Sequence, residues 1–231
     1  MEPPKKDILE ALSHFSTPTI CNAIEMLHSR LRNEGYAINA NLTDHIPQPQ
    51  SMVGHAITLK MRTSNPPIKG RVYEEREDWW EKVLSMPAPR IAVIQDLDFP
   101  TGIGSVVGII HALIFKSLGC IGVVTNGAVR DISLIKKEKM HIYSSALVPS
   151  HAYSHIVEVG SPVIIAGLTI KSGDLIHGDS NGIASVPIKS INDILLNAKN
   201  IVEEEKKIIN FCHSKNFNLE ELKKLVKEYE I

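Results

Sequence analysis

Cysteine is scarce in this chain, with three residues in 231, at positions 21, 120 and 212. The count is odd and the spacings are unpaired, which argues against a disulfide framework or a zinc site. The thiols read as buried or incidental, as a reducing compartment permits. Net charge is equally scarce: 25 Lys and Arg against 26 Asp and Glu give a formal charge of −1. That leaves no electrostatic footprint for nucleic acid and argues against direct binding to it, while a protein partner stays open. No uninterrupted apolar run reaches the roughly 18 residues that span a bilayer. The opening MEPPKKDILE has no apolar signal core. The expectation is a cytoplasmic protein without membrane association. Internal repeats and low-complexity tracts are absent as well.

What is present suits one well-covered core: 43% hydrophobic and 22% charged residues are ordinary for a globular protein. The stretch Thr101 to Asp131, TGIGSVVGIIHALIFKSLGCIGVVTNGAVRD, organises the rest. Glycines lead into a mostly apolar run that breaks at Gly119, and Ile121 to Val124 then give way to Asn126-Gly127. This is a helix, turn, strand, turn pattern. With a helix starting near Ser105 to Gly108, the amides of Gly108, Ile109, Ile110 and His111 lie among those without partners in its first turn, an anion site. Beyond the strand, Arg130 can grip a carboxylate or polarise an oxygen, and Asp131 can hold a divalent metal. A small oxyacid carrying a metal suits such a pocket. An Arg-Asp pair after a strand also reads as a surface turn or a local ion pair.

The spacing Gly108, Gly119, Gly122, Gly127, Arg130, Asp131, with Ala128-Val129 between, resembles the G-x(21)-R-D signature of the RraA-like family. Val53-Gly54, Ala56 and Thr58 are similar to its V-G-x-A-x-T strand, and Asp96, Asp98 and Pro100 to its D-x-D-x-P segment. Gly173-Asp174, Gly178-Asp179 and Asn181-Gly182 are similar to its late glycine-aspartate run, so the resemblance covers roughly residues 10 to 205. The family includes class II aldolases of 4-hydroxy-4-methyl-2-oxoglutarate, which also decarboxylate oxaloacetate, and the RraA proteins that inhibit ribonuclease E.

The resemblance implies a three-layer β/β/α swivelling-type α/β domain over residues 1–205, and the residues beyond it, 206–231, read as a C-terminal helical extension. It implies a homotrimer or hexamer with pockets between subunits. It further implies a carbon-carbon lyase that uses Mg2+ or Mn2+ and works on small 2-oxo acids through a metal-stabilised pyruvate enolate. Asp131 would be the metal residue, Arg130 catalytic, and Gly108, Ile109, Ile110, His111 and Arg130 substrate-binding. One departure matters. The aldolases carry an acidic residue after the first glycine that helps a water take the hydroxyl proton, and here it is Ile109. Decarboxylation mainly needs an electron sink, so the aldol step is the one placed in doubt. The other reading is a non-catalytic, RraA-type protein-binding regulator of RNA degradation, with Thr63 to Pro89 and the terminal helix as contact surfaces.

Elsewhere, Ile8, Leu9, Leu12 and Phe15 mark a first helix, and Thr17 with Pro18 starts a second, with Thr17 as cap. His28 to Gln50 reads as an irregular connection, and Met52 to Met61 as an alternating strand. The segment 63–89 departs from compact relatives. Within it Arg71 to Leu84 reads as a charged helix offering Val72, Trp79, Val83 and Trp80 to one side. Arg90 to Leu97 is a buried strand ending on Asp96 and Asp98, which are ligand or turn residues. His151 and His155 fall in a loop and read as surface histidines, His141 to Val148 is strand-like, and Pro162 to Ala166 should be a strand buried on both faces. Ser190 with Asp193 and Asn218 with Glu221 are capping boxes for two C-terminal helices. Glu203-Glu204-Glu205 ends one helix face. It is a solvated run or, by the resemblance, the source of a glutamate that approaches a neighbouring subunit's metal.

Overall fold

The computed structural model describes residues 3–37, 42–68 and 76–229. The described chain begins with α1 (Lys6–Ser13), α2 (Thr17–Glu25), β1 (Thr43–Asp44), β2 (Met52–Arg62), α3 (Arg76–Leu84) and β3 (Arg90–Asp96). The central unit is β4 (Ser105–Val107), α4 (Ile109–Ser117), β5 (Cys120–Thr125), β6 (Ala128–Val129) and α5 (Ile132–Ile135). Then come β7 (His141–Ser144), β8 (Ala146–Leu147), β9 (His155–Val159), β10 (Val163–Ile165), β11 (Leu168–Ile170), β12 (Leu175–Asp179) and β13 (Gly182–Val186). Helices α6 (Ile191–Cys212) and α7 (Leu219–Glu228) complete it.

The main sheet runs β1-β7-β5-β3-β2-β12-β13, with β9 also on β2. Strands β2, β3, β5 and β7 are mutually parallel. The 11-residue β2 pairs with β12 through Met52 to His55 and with β9 through Leu59 to Arg62. One strand thus serves two neighbours on the same edge, and the sheet curls almost closed. β2 is buried along nearly its whole length, so it is a core strand covered on both faces rather than an alternating one.

One face packs on α3, α4 and α5 through Trp79, Val83, Ala112, Phe115 and Ile135. Trp79 meets Phe115 edge to face, with centroids 5.9 Å apart, in the geometry aromatic quadrupoles favour. The opposite face, with Met52, Ala56, Val93 and Val124, is covered by the β10–β11 hairpin through Val163, Ile165 and Ile170. This is the expected three-layer β/β/α arrangement. A third cluster seats α1, α2 and α6 on Val53, Leu175 and Val186. Among the described residues no helix is long and apolar enough to cross a membrane.

Several local expectations need correcting. The cap of α2 is Ser16, whose hydroxyl accepts the Thr19 N–H, while Thr17 is already helical and its own N–H goes to Asp179 Oδ2 at 2.9 Å. Asn218 caps α7 as expected, with Oδ1 accepting Glu221 N–H at 2.9 Å. Ser190 makes no side-chain cap, because a short 3-10 turn over Ile188–Ser190 leads into α6. The strand over His141 to Val148 divides at Ser145 into β7 and β8, which belong to different sheets. β10 is covered on one face only, since Ile164 remains 55% exposed. The charged helix is observed as α3, with Trp79 and Val83 buried; residues 71–75, including Val72, lie outside the described ones.

Candidate active site

The site is assembled by a small parallel sheet. β4 pairs with β6 and β6 with β8, with Ser105 opposite Ala128 and Val107 opposite Val129. In-register parallel strands put the residues that follow them side by side. Gly108 therefore meets Arg130 and Asp131, and the Arg130 N–H donates to Val107 O at 3.0 Å. The expected helix start moves accordingly: Ser105–Val107 is strand, Gly108 is the N-cap and α4 begins at Ile109. Its β-branched valines at 106 and 107 are buried and suit a strand better than a helical turn.

Asp131 sits in the left-handed region, φ 62° and ψ 27°. Asp and Asn tolerate this conformation better than most residues, though at a cost. In return its Oδ2 reaches the Ile109 N–H at 3.0 Å and occupies one of the free donors of α4. Oδ2 also lies 3.8 Å from Arg130 Nε. Gly108 is required by this crowding: a Cβ there would stand 2.8 Å from Asp131 Oδ2 and 2.9 Å from Arg130 Nε. The missing side chain makes room for the Arg-Asp pair.

A small open pocket lies at this junction, lined by Ser105, Val106, Gly108, His111, Arg130, His151 and Ser154. Arg130 Nε is buried and has no hydrogen-bond partner among the described residues. Of the sequence-expected residues, Gly108, His111 and Arg130 line the cavity, with Asp131 beside it. The Ile109 side chain packs against the core cluster, leaving only its backbone near the site, and the Ile110 side chain is 65% exposed. His151, read from sequence as a surface histidine, faces the cavity, while its Nδ1 lies 2.8 Å from Ala152 O. The bend of the chain after β8, which no periodicity marks, carries it there. His155 stays outside, in β9 opposite Arg62.

Asp96 and Asp98 are structural. Asp96 accepts the amides of Gly102 at 2.8 Å and Asp98 at 3.0 Å. Its carboxyl is pushed up by burial, an effect those amides offset in part. The Asn126 side chain acts as a strand partner for Asp96: Oδ1 accepts its N–H at 2.7 Å and Nδ2 donates to its carbonyl at 3.0 Å. Asp98 ties down the segment after β2. It accepts from Thr63 N–H at 2.6 Å, Ser64 N–H at 2.9 Å, both hydroxyls and Arg62. Burial works to raise its pKa, but the combined hydrogen bonds win and hold it at about 2. Glu203 and Glu204 pair with Lys206 and Lys207, and Glu205 accepts from Tyr229, so within this chain the run is occupied on its own helices.

Among the described residues no three His, Cys, Asp or Glu side chains gather as a metal cage. Asp131 by itself fits a divalent cation in the way Mg2+ commonly uses, through one carboxylate with other positions left to water and substrate oxygens. Its side chain is 33% exposed, and among the described residues only Oδ2 is engaged.

The family model for RraA-like proteins (Aldolase/RraA) matches residues 17–184. The chain belongs to the RraA-like family. An uncharacterised protein of Methanocaldococcus jannaschii is 28% identical over 204 residues, covering 87% of this chain and 86% of that one. A protein of Halalkalibacterium halodurans, provisionally named 4-hydroxy-4-methyl-2-oxoglutarate aldolase, is 32% identical over 85 residues, 36% of this chain and 40% of that one. The structure of Streptomyces coelicolor RraAS2, described as an unusual member of the RNase ES inhibitor RraA protein family, superposes with a TM-score of 0.70 at 20% identity, covering 89% of this chain and 97% of that one. At that identity the likeness concerns the fold.

Proposed function

We propose that this RraA-like protein is a carbon-carbon lyase for 2-oxo acids, with decarboxylation of a 3-carboxylated substrate favoured over aldol cleavage. The observation that carries the reading is Arg130: a buried guanidinium nitrogen that, among the described residues, has the Asp131 carboxylate 3.8 Å away but no hydrogen-bond partner, facing a polar pocket. Buried donors are rarely left unpaired without a reason, and a ligand oxygen would satisfy this one. The aldolase-named relative is consistent with such chemistry.

The guanidinium would bind the substrate's carboxylate or keto oxygen in its planar fork and stabilise the negative charge that gathers there as the bond to the third carbon breaks. The N-terminus of α4, whose helical ladder begins with Ala112 N–H on Gly108 O at 3.0 Å, would orient the carboxylate. A divalent cation at Asp131, when bound, supplies a further electron sink at the keto oxygen. A proton must then reach the third carbon, and His111 and His151 are the cavity's imidazoles able to bring it. Aldol cleavage needs a base for the substrate hydroxyl, and at position 109 the side chain is an isoleucine turned into the core. A trimer or hexamer would place further residues around this open cavity.

The test is pyruvate release from oxaloacetate with Mg2+ or Mn2+ and with chelator. Metal-dependent turnover lost in Arg130→Ala and in Asp131→Ala is expected. Native turnover no greater than the metal-only background would refute the lyase reading and favour a binding regulator.

A further inference from the structure

The C-terminal helical hairpin has no core of its own. Ile201 on α6 is 3% exposed, and among the described residues from 202 to 229 none is buried. The distal half of α6 and the ten residues of α7 hold each other by contacts at their edges. Phe211 meets Phe217 with ring centroids 5.7 Å apart, and the Tyr229 hydroxyl donates to Glu205 Oε1 at 2.9 Å. The main contacts of α7 are with α6. A helix this short is marginal in water and draws its stability from packing an apolar face. α7 has such a face, and it is open. Leu219, Leu222 and Val226 follow one another at helical spacing on one stripe, with Leu219 61% and Val226 49% exposed. Phe217 and Ile209, of the same hairpin, are also about half exposed.

We infer that this face takes a second copy of the chain, with α7 lying antiparallel on its own copy about a two-fold axis near Leu222 and Lys223. The order of charge along α7 selects that occupant. Glu220 and Glu221 stand in its first turn, and Lys223, Lys224 and Lys227 follow. An antiparallel two-fold brings the start of one helix to the end of the other. Leu219 then packs on Val226 of the copy and Glu220 lies beside Lys227 of the copy, each contact being made twice, as an isologous interface requires. Glu220 and Lys227 are seven residues apart and so lie on one flank of the apolar stripe, the condition for them to meet across the axis. A parallel arrangement would instead level acidic end with acidic end and basic with basic. With α6 beside each α7, the pair closes into a four-helix arrangement, which gives the hairpin the core it lacks. The contact is small for a specific interface, so exchange at micromolar concentrations is expected. It does not depend on the lyase reading.

The experiment is sedimentation equilibrium of the full chain over micromolar concentrations. Whatever assembly the α/β body makes, the hairpin contact doubles it, so the native mass at the highest concentration should be twice that of Leu219→Asp/Val226→Asp. Both positions are exposed, and the thermal midpoint checks that this variant folds. The charge pairs supply the sharper arm. Glu220→Lys and Lys227→Glu, each alone, should raise the concentration of half-association about tenfold, since two exposed pairs are reversed at once. The double variant restores both pairs with the signs exchanged and should return to within about threefold of the native value. Should the double-aspartate variant not fold, the charge series decides alone. Equal masses for the native protein and the double-aspartate variant would overturn the inference and leave the face to a different protein. A fall in mass by a factor other than two would overturn it as well, because the hairpin would then dock on the body of a neighbouring subunit. Single charge variants that associate as the native chain does, or a double variant that fails to recover, would refute the antiparallel pairing.

Discussion

Asp98→Asn tests how the site is held in place. The carboxylate takes two backbone amides and two hydroxyls from Thr63 and Ser64, with Arg62 at 3.1 Å. Thr63 in turn accepts the Gly104 N–H on its hydroxyl at 3.0 Å and the Tyr153 N–H on its carbonyl at 3.0 Å. The approaches to β4 and to the His151 loop therefore both hang on the segment Asp98 secures. A pKa lowered from 3.8 to about 2 corresponds to roughly 2–3 kcal/mol of preference for the ionised form in the folded state. The folded pKa is depressed, so that stability is fully present above pH 4 and is lost as pH falls from about 4 through about 2. Asparagine keeps one acceptor oxygen and turns an NH2 towards donors, so Asp98→Asn should cost about 3 kcal/mol near neutral pH. The assay is urea unfolding of both proteins from pH 7 down to pH 2. The difference between them should shrink steeply below pH 4. A difference under about 1 kcal/mol at pH 7, or one that does not change with pH, would refute the hydrogen-bond account of Asp98.

Gly108→Ala introduces the Cβ that meets Asp131 Oδ2 and Arg130 Nε below 3 Å. At φ −121° alanine is conformationally acceptable. The reduced freedom of the unfolded chain therefore offsets part of the lost contact, and the thermal midpoint should move by only a few degrees. Turnover should fall by about tenfold to a hundredfold, because the arginine is displaced by a fraction of an ångström to an ångström; unaltered kinetics would show that Arg130 does not act from this position. The Cys120 thiol is pushed up to about 12 by burial, while Cys212 is exposed. A thiol reagent at pH 8 should label Cys212 in the native protein and reach Cys120 only at the rate of unfolding, as peptide mapping would report. His177 is fully buried between Thr17 Oγ1 at 2.9 Å and Leu12 O at 3.2 Å, and burial lowers its pKa. Thr17→Val should cost about 1–2 kcal/mol in urea unfolding by stranding that ring nitrogen.

The parts of this fold written most clearly in the sequence are those fixed by neighbours along the chain. Gly119 takes φ 77° where the break after α4 was expected, and Asn126-Gly127 turns the chain after β5, as glycine and asparagine do wherever they stand. The Arg130-Asp131 pair was legible through its spacing from Gly108. What the spacing could not supply was the reason for it, since β4 and β6 are strands of three and two residues, too short for a period-two signal, and their parallel pairing brings 108 to 130 across more than twenty positions. The same limit hid His151. It reaches the cavity because Gly104 lies so close to it that a Cβ at 104 would stand 2.6 Å from the His151 carbonyl, a contact between segments with no shared pattern. Asp96 and Asp98 show the converse. A carboxylate at the end of a buried strand suits a ligand site and a loop tie equally well by sequence, and the choice is made by where the donors are. Thr63 and Ser64 supply them from the segment after β2 and Gly102 from the loop before β4, and once their amides are spent on these carboxylates the acidic oxygen beside the pocket with no hydrogen bond among the described residues is that of Asp131. The chemistry of the site therefore rests on a division of labour among aspartates that only their partners reveal.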